Sequence, residues 1–159
     1  MTFRLRRLTT ADLSRLRQFL VEHWGSEELI AHGHIYHPEQ LDGFVIEDEN
    51  EWVGLLTFFI KDHECEVVSL DSLREGHGIG TQLMDKAIQE ARARGCHRLF
   101  LITTNDNLHA LGFYQKRGLE IVAVYRGAVN KSRKRKPNIP LVGMDGIPLR
   151  DEIELEIRF

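Results

Sequence analysis

The stretch LDSLREGHGIG, residues 70–80, decides how this chain of 159 residues is interpreted. A strand-like run ends in a loop with glycines at Gly76, Gly78 and Gly80, and an amphipathic helix follows immediately. In such a loop several backbone N–H groups converge at a helix N-terminus, where the helix dipole also favours anions. Because glycine leaves the backbone open to direct contact, the pattern predicts a binding site for a diphosphate group.

The segment before the loop is predicted to form the antiparallel part of a sheet. Phe3 and Leu5 alternate with arginines in a short strand, and a helix is expected from Thr10 to about Glu22. Residues 24–38 are rich in histidines and aromatic side chains and are predicted as a short helix plus a loop. Three strands separated by short polar turns then predict a meander, at residues 43–49, 52–61 and 64–70.

The segment after the loop alternates helices and strands. Apolar residues from Ile79 onward recur at helical spacing, and Gly95 is expected to end that helix. The apolar run 99–102 is typical of a central strand, and a helix at 106–117 and a strand at 119–126 follow. The last nine residues, DEIELEIRF, alternate perfectly and predict a strand with one face in water. We expect a single domain, a mixed α/β sheet with helices on both faces.

Composition narrows the class of protein. The chain is 42% hydrophobic with a formal net charge of −3, which gives no general argument for binding nucleic acid or an anionic membrane. No apolar run approaches the roughly 18 residues of a membrane span, and the N-terminal residues MTFRLRRLTT contain no apolar signal core. Cys65 and Cys96 make no disulfide framework. A reduced, cytoplasmic setting is therefore expected.

Two common nucleotide-binding patterns do not fit the glycine loop. A P-loop requires a Lys-Ser or Lys-Thr pair after its last glycine, whereas Gly80 is followed by Thr81 and Gln82. A dinucleotide fingerprint requires a third glycine where Thr81 stands, and it opens a parallel βαβ unit. Here an antiparallel meander comes first, so both patterns are disfavoured.

Two motifs resemble those of the GCN5-related N-acetyltransferases (GNAT family). Residues 75–80, EGHGIG, are similar to that family's acyl-coenzyme A loop, Q/R-x-x-G-x-G/A, with Glu75 in place of the usual Arg or Gln. Residues 107–119, NLHALGFYQKRGL, are similar to its N-x-x-A-x-x-F-Y-x-x-x-G-F motif, with Leu119 in place of the last Phe. The motifs start about 30 residues apart and in the expected order of elements. The resemblance extends over nearly the whole chain.

The resemblance implies that acetyl-CoA, as co-substrate, lies between two parallel strands that splay apart, 64–70 and 99–102. Its pantetheine arm would pair with the exposed edge of the first strand, and a backbone N–H near Ser69 would contact the thioester oxygen. Asn107 would bond the pantetheine amides or instead cap a helix. Either Arg74 or His77 would compensate for Glu75. The implied coenzyme-binding residues are Val68, Ser69, Leu70, Gly76, His77, Gly78, Ile79, Gly80, Thr81 and Asn107.

The resemblance also implies which side chains move protons. Tyr114 stands where the family places the general acid that protonates the leaving thiolate, although it would also pack with Phe113. A general base is needed because a protonated amine has no free lone pair, and Glu66 lies on the strand that leads to the thioester. A solvated position for Glu66 remains an alternative. The competing candidates are Glu64, Asp71, Asp151 and Glu152.

The acceptor is expected to be a primary amine of a small molecule or a peptide. Trp24, His32, His34 and Tyr36 fall where the family shapes its acceptor pocket, and the histidines lack the carboxylates or cysteines of a metal site. The basic run at 131–136 is expected to be a solvated excursion, with nucleic acid a weaker possibility. A homodimer through the edge of the last strand is plausible. The competing function is a non-catalytic acyl-CoA sensor, which Glu75 keeps open.

Overall fold

A computed structural model describes residues 2–159 and builds them around a mixed sheet. Its strands are β1 (Phe3–Arg7), β2 (Leu29–Ala31), β3 (His34–Tyr36), β4 (Asp42–Asp48), β5 (Glu51–Lys61), β6 (Glu64–Ser72), β7 (Arg98–Thr104), β8 (Glu120–Tyr125) and β9 (Glu152–Arg158). Its helices are α1 (Leu13–Trp24), α2 (Ile79–Ala93), α3 (Leu108–Lys116) and α4 (Ala128–Arg135). Seven strands form the main sheet in the order β1-β4-β5-β6-β7-β9-β8, and β2 and β3 form a separate hairpin. The predicted mixed sheet is confirmed.

The centre of the sheet opens where β6 and β7 separate. These strands pair in parallel from Glu64, opposite Arg98, as far as Val67, opposite Leu101. Both strands continue beyond that pair, β6 to Ser72 and β7 to Thr104, without pairing to each other. The ends of the two strands therefore form the sides of a V-shaped opening, as the family resemblance of the two motifs implied.

A β-bulge at Val68 lies at the mouth of this opening. In the antiparallel pair of β5 and β6, Ser69 stands opposite Thr57 and Val67 stands opposite Phe58, so Val68 is the extra residue. An extra residue shifts the alternation of side chains by one position. Positions 66 and 71, which regular alternation would put on opposite faces, consequently share one face of the sheet.

Each face of the sheet carries its own apolar core. On one face α2 packs through Leu83, Met84 and Ala87 against side chains such as Phe44 and Leu99. On the other face α1 and the β2–β3 hairpin bury a second cluster, which includes Leu20, Tyr36, Val45 and Leu55. No helix among residues 2–159 is long and apolar enough to cross a membrane.

The prediction for residues 24–38 is wrong: the segment forms a hairpin instead of a short helix and a loop. Helix α1 runs two residues further than expected, through Trp24, and Gly25 ends it in a left-handed conformation with φ of 77°. The hairpin turn consists of His32, with φ of 50°, and Gly33, with φ of 78°. Two positive φ angles are what a two-residue hairpin turn requires. A His-Gly pair is a weak sequence signal for such a turn.

Two expectations for the last strand are also wrong. The acidic face of β9 is covered, because Glu152 and Glu156 are buried and Glu154 is half-buried. Arg98 on the neighbouring strand forms ion pairs with both Glu154 and Glu156, at 2.7 and 2.9 Å. In addition, β9 lies between β7 and β8, so it has no free edge for a second copy. The edge strands of the main sheet are β1 and β8.

Replacing Gly43 by alanine is expected to lower the free energy of unfolding by about 1–3 kcal/mol, the usual range for overpacking a core. A β-carbon at Gly43 would stand 2.5 Å from the carbonyl oxygen of Leu56 on the neighbouring strand, and a backbone atom cannot move aside cheaply. Gly112→Ala is the matched control, because no atom lies within 4 Å of a β-carbon there and alanine favours its helix. Urea unfolding of both variants measures the difference. Equal midpoints would contradict the expectation.

Candidate active site

The glycine loop leaves open space above a helix N-terminus. Gly76 and Gly78 have φ of 77° and 69°, and no atom lies within 4 Å of a β-carbon built at either position. The first hydrogen bond of α2 runs from the Gln82 N–H to the Gly78 carbonyl. In the described chain, the N–H groups of residues 75–81 donate no backbone hydrogen bond. This set of free donors at the positive end of a helix dipole fits a diphosphate.

Gly80 has a different reason to be glycine. A β-carbon there would stand 3.4 Å from the ring of Phe113, which is tighter than most real contacts. The first turn of α2 therefore packs directly against α3. The two sequence motifs meet in space through this contact, so the glycine loop and Tyr114 occupy one region of the molecule.

The side chains of the loop lie at its outer surface. Arg74 binds Asp48 and Glu51 on the turn between β4 and β5. Glu75 is exposed, and the exposed His77 ring packs edge-on against Phe3, with centroids 5.3 Å apart. Arg74, one of the two residues expected to compensate for Glu75, thus pairs with the carboxylates of Asp48 and Glu51.

The splayed end of β6 offers an unpaired strand edge. Val68, Ser69 and Leu70 follow the last pair with β7, so their polar groups on that side lack a strand partner. The Ser69 hydroxyl is buried and lies 2.6 Å from the hydroxyl of Thr57, which fixes the strand just after the bulge. An extended chain entering the opening would find the backbone of β6 rigidly held.

Tyr114 lies on α3 with its ring against Phe113, at a centroid distance of 5.6 Å. Its hydroxyl makes no hydrogen bond within residues 2–159. Burial, with a smaller contribution from the negative charge of Asp71, raises the pKa of Tyr114 to about 12. The hydroxyl therefore keeps its proton at neutral pH and is free to donate it. Asn107 caps α3, because its Oδ1 accepts the Ala110 N–H at 3.2 Å.

Glu66 lines a cavity of about 310 Å³ on the face of the sheet that the hairpin covers. We call it the acceptor cavity; Ala31, His32, His34, Tyr36, Phe59, Lys61, Asp62, Glu64, Glu66, Phe100, Ile102 and Glu154 line it. The carboxylate is only 8% exposed and accepts a hydrogen bond from the Tyr36 hydroxyl, so the solvated alternative is wrong. Burial raises the pKa of Glu66, while the Tyr36 hydrogen bond opposes that rise.

Asp71 is a second carboxylate on the same face, brought there by the bulge. Trp24, at the C-terminal end of α1, donates its indole N–H to Asp71 Oδ2 at 2.9 Å. Burial raises the pKa of Asp71, and the indole hydrogen bond opposes that rise. Sequence reasoning placed Trp24 in the acceptor region without finding this contact. No sequence signal pairs residues so far apart.

The remaining candidates for the general base are held in structural contacts. Asp151 accepts the N–H of Gly127 at 2.9 Å, and Glu64 pairs with Arg98 at 2.7 Å. Glu152 is buried and accepts the backbone N–H of His32 at 3.3 Å. The arrangement leaves Glu66 and Asp71 as the two carboxylates near the opening. Across the described residues, no group of three or more His, Cys, Asp or Glu is arranged to hold a metal ion.

The basic run is partly internal, as its contacts show. Arg133 donates to the carbonyls of Ile139 and Pro140, at 3.2 and 2.6 Å. Arg135 and Lys136 reach across to the segment before β3, where they bind the carbonyls of Gly33 and Glu28. The run therefore ties α4 to the hairpin, whereas a purely solvated excursion was expected.

A splayed parallel pair of strands beside a glycine loop is typical of acyltransferases that use acyl-coenzyme A as donor. The chain belongs to the Acetyltransferase (GNAT) family, whose sequence profile matches residues 6–119. It is 46% identical over 138 residues to the uncharacterized protein YxbD of Bacillus subtilis, a match that covers 86% of this chain and 87% of that protein.

Solved structures share the fold at low sequence identity. An IAA acetyltransferase from Bacillus cereus superposes with a TM-score of 0.73 at 18% identity, covering 99% of this chain and all of the other. A Bacillus subtilis acetyltransferase in complex with CoA superposes with a TM-score of 0.71 at 20% identity, covering 99% of each chain. Similarity at this level extends to the fold alone.

Proposed function

We propose that this protein transfers the acetyl group of acetyl-CoA to a primary amine of a small molecule or peptide, by direct attack while both substrates are bound. One observation carries the proposal. The bulge at Val68 sets two carboxylates, the buried Glu66 and the half-buried Asp71, on one face beside an unpaired strand edge. The Tyr114 hydroxyl has no hydrogen-bond partner among residues 2–159, and it is close enough to Asp71 for the negative charge of Asp71 to raise its pKa.

The residues present fit the coenzyme. Backbone N–H groups of residues 75–81 hold the diphosphate, because they are free and the space above Gly76 and Gly78 is open. The edge of β6 at residues 68–70 binds the extended pantetheine arm as an added strand, and an N–H near Ser69 stabilises negative charge on the thioester oxygen. Acetyl-CoA supplies the acetyl group in activated form, as a thioester.

Proton handling follows from the two ends of the site. An alkyl amine has a pKa of about 10.4 and is protonated at neutral pH. Glu66 therefore accepts a proton from the amine before or during its attack on the thioester. The raised pKa of Glu66 makes it a stronger base than an exposed glutamate. Tyr114, with a pKa of about 12, donates its proton to the departing sulfur. Asp71 is the alternative base, and its charge also keeps Tyr114 protonated.

A sensor that only binds acyl-CoA would use the same loop and strand edge. It would need neither the buried Glu66 nor the unpaired Tyr114 hydroxyl, so the contacts of these two residues favour the enzyme. We also propose a reducing, cytoplasmic setting, because Cys65 and Cys96 are both free thiols. Burial raises the pKa of the Cys65 thiol to about 12, which makes it unreactive.

Replacing Gly78 by alanine is expected to raise the Kd for acetyl-CoA about tenfold, since a methyl group would displace about one charge-assisted hydrogen bond at the diphosphate. Calorimetry with acetyl-CoA measures the change. Gly95→Ala is the matched control at the other end of α2, with φ of 74° and equally open space. Both variants carry the same left-handed strain, about 1–2 kcal/mol, so both lose similar stability.

Only the Gly78 variant is expected to lose coenzyme affinity. If both variants bind acetyl-CoA as tightly as the unaltered protein, the glycine loop does not hold the diphosphate. The proposed function would then lose its coenzyme site.

A further inference from the structure

A second cavity, of about 610 Å³, adjoins the acceptor cavity between the hairpin, β8 and α4. We call it the α4 cavity; the residues that matter here are His32, Tyr125, Arg126, Lys131, Arg135 and Glu152. The glycine loop lies elsewhere, since His77 packs against β1, at the opposite edge of the main sheet from β8. The α4 cavity is therefore not part of the diphosphate site.

The α4 cavity carries an excess of positive charge. Arg126, Lys131 and Arg135 line it, and Glu152 is the one carboxylate among its lining residues. Glu152 is already engaged by the backbone N–H of His32. The side chain of Lys131 makes no hydrogen bond or ion pair with any residue that the structure describes; its backbone N–H donates to the Gly127 carbonyl at 3.3 Å. Its charge is thus available to an anion from outside the chain.

The acceptor cavity has the opposite charge. Asp62, Glu64, Glu66 and Glu154 line it against one lysine, Lys61. Arg98 lies beneath and neutralises part of this charge by pairing with Glu64 and Glu154. Glu66 has a tyrosine hydroxyl as its partner in place of a cation. This cavity therefore suits the cationic amine.

The two cavities meet at a shared wall. His32, whose side chain is 50% exposed, lines both of them. Tyr125 lines the α4 cavity and donates its hydroxyl hydrogen bond to Glu154 of the acceptor cavity at 2.7 Å. Between β6, which carries Glu66, and β9, which carries Glu152, stands β7 alone. Two strand spacings separate them, and Glu66 is level with Glu156, four residues along β9 from Glu152. The two charged regions are therefore about 16 Å apart along the face of the sheet.

We propose that the acceptor is a bipolar molecule, a primary amine that carries an anionic group, carboxylate or phosphate, about 16 Å from its nitrogen. The amine lies at Glu66 and the anion lies among Arg126, Lys131 and Arg135. This inference rests on the proposed function, and it deepens that function by naming the class of acceptor. An extended twelve-carbon chain spans the distance, whereas the amine and carboxylate of an α-amino acid are too close together.

The test compares 12-aminododecanoate with dodecylamine, which has the same chain and no anion. Thiol release from acetyl-CoA gives kcat/KM for each amine. We expect about a tenfold advantage for 12-aminododecanoate, which equals about 1.4 kcal/mol. The shorter 4-aminobutanoate is expected to show no such advantage. A parallel measurement with 12-aminododecyl phosphate distinguishes a phosphate site from a carboxylate site.

Lys131→Met is expected to remove the advantage of 12-aminododecanoate and leave kcat/KM for dodecylamine unchanged. Lys134→Met is the matched control, because Lys134 is exposed on the same helix and does not line the cavity. Equal kcat/KM values for the two amines, or an advantage that persists in Lys131→Met, would overturn the inference while the proposed function stands.

Calorimetry in the presence of CoA covers the case in which neither amine is acetylated. Tighter binding of 12-aminododecanoate that Lys131→Met abolishes would support the bipolar site and contradict the proposed acetyl transfer. Equal Kd values for the two amines would overturn the inference itself.

Discussion

Tyr114→Phe is expected to lower kcat for acetyl transfer about 100- to 1,000-fold, within the usual range for loss of a general acid. The departing thiolate would then have to take its proton from water. Phenylalanine keeps the ring that packs against Phe113, so the Kd for acetyl-CoA is expected to change by less than about twofold. A tenfold change in Kd would correspond to about 1.4 kcal/mol of binding free energy. Stopped-flow or steady-state thiol release measures kcat, and calorimetry measures Kd.

The pH profile adds a second readout for the same residue. Because the pKa of Tyr114 is about 12, the hydroxyl stays protonated through neutral and moderately alkaline pH. The general acid is therefore expected to cause no fall in kcat below about pH 11, one unit under its pKa. A Tyr114→Phe variant that keeps full turnover would exclude the hydroxyl as the proton donor. A protein that binds acetyl-CoA yet acetylates no amine at all would instead be a sensor.

Local patterns in the sequence were sufficient to predict the glycine loop and the helix that follows it. The glycines at Gly76 and Gly78 adopt the left-handed conformation that only glycine takes freely, and α2 begins directly after them. The meander of β4, β5 and β6 follows from short polar turns between apolar runs. In these segments each residue's preference agrees with the final fold, so local reasoning was enough.

The face of the sheet that carries Glu66 and Asp71 was much less predictable. The bulge at Val68 arises from the pairing of β6 with β5, and the sequence of β6 alone contains no mark of it. Without the bulge, Asp71 would be assigned to the face opposite Glu66. The buried acids of β9 were misjudged for a similar reason, because alternation identifies a polar face and does not reveal what covers it.

The cover of that polar face is formed by the two elements that local patterns described least well. The hairpin depends on a His32-Gly33 turn, and α4 depends on contacts of its basic side chains with hairpin carbonyls. Both elements bury the acidic side of the sheet, and burial raises the pKa of Glu66, the proposed general base. The part of the chain that was hardest to predict is thus the part that covers the cavity beside Glu66.

Glu66→Gln is expected to lower kcat/KM for amines about 100-fold at neutral pH, the lower end of the effect of losing a general base. Glutamine preserves the size of the side chain and an acceptor for the Tyr36 hydroxyl, and it cannot take a proton. The Kd for acetyl-CoA is expected to stay unchanged, because Glu66 precedes the strand edge at residues 68–70. Asp71→Asn is the matched comparison on the same face of β6.

Tyr36→Phe tests the assignment through the pH profile. The hydrogen bond from Tyr36 stabilises ionised Glu66 and lowers its pKa, against the larger effect of burial. Removing the hydroxyl therefore raises the pKa of Glu66 further, and the acid limb of kcat/KM is expected to move to higher pH. If Asp71→Asn abolishes turnover while Glu66→Gln and Tyr36→Phe leave both the rate and the acid limb in place, Asp71 is the general base and Glu66 serves only to attract the amine.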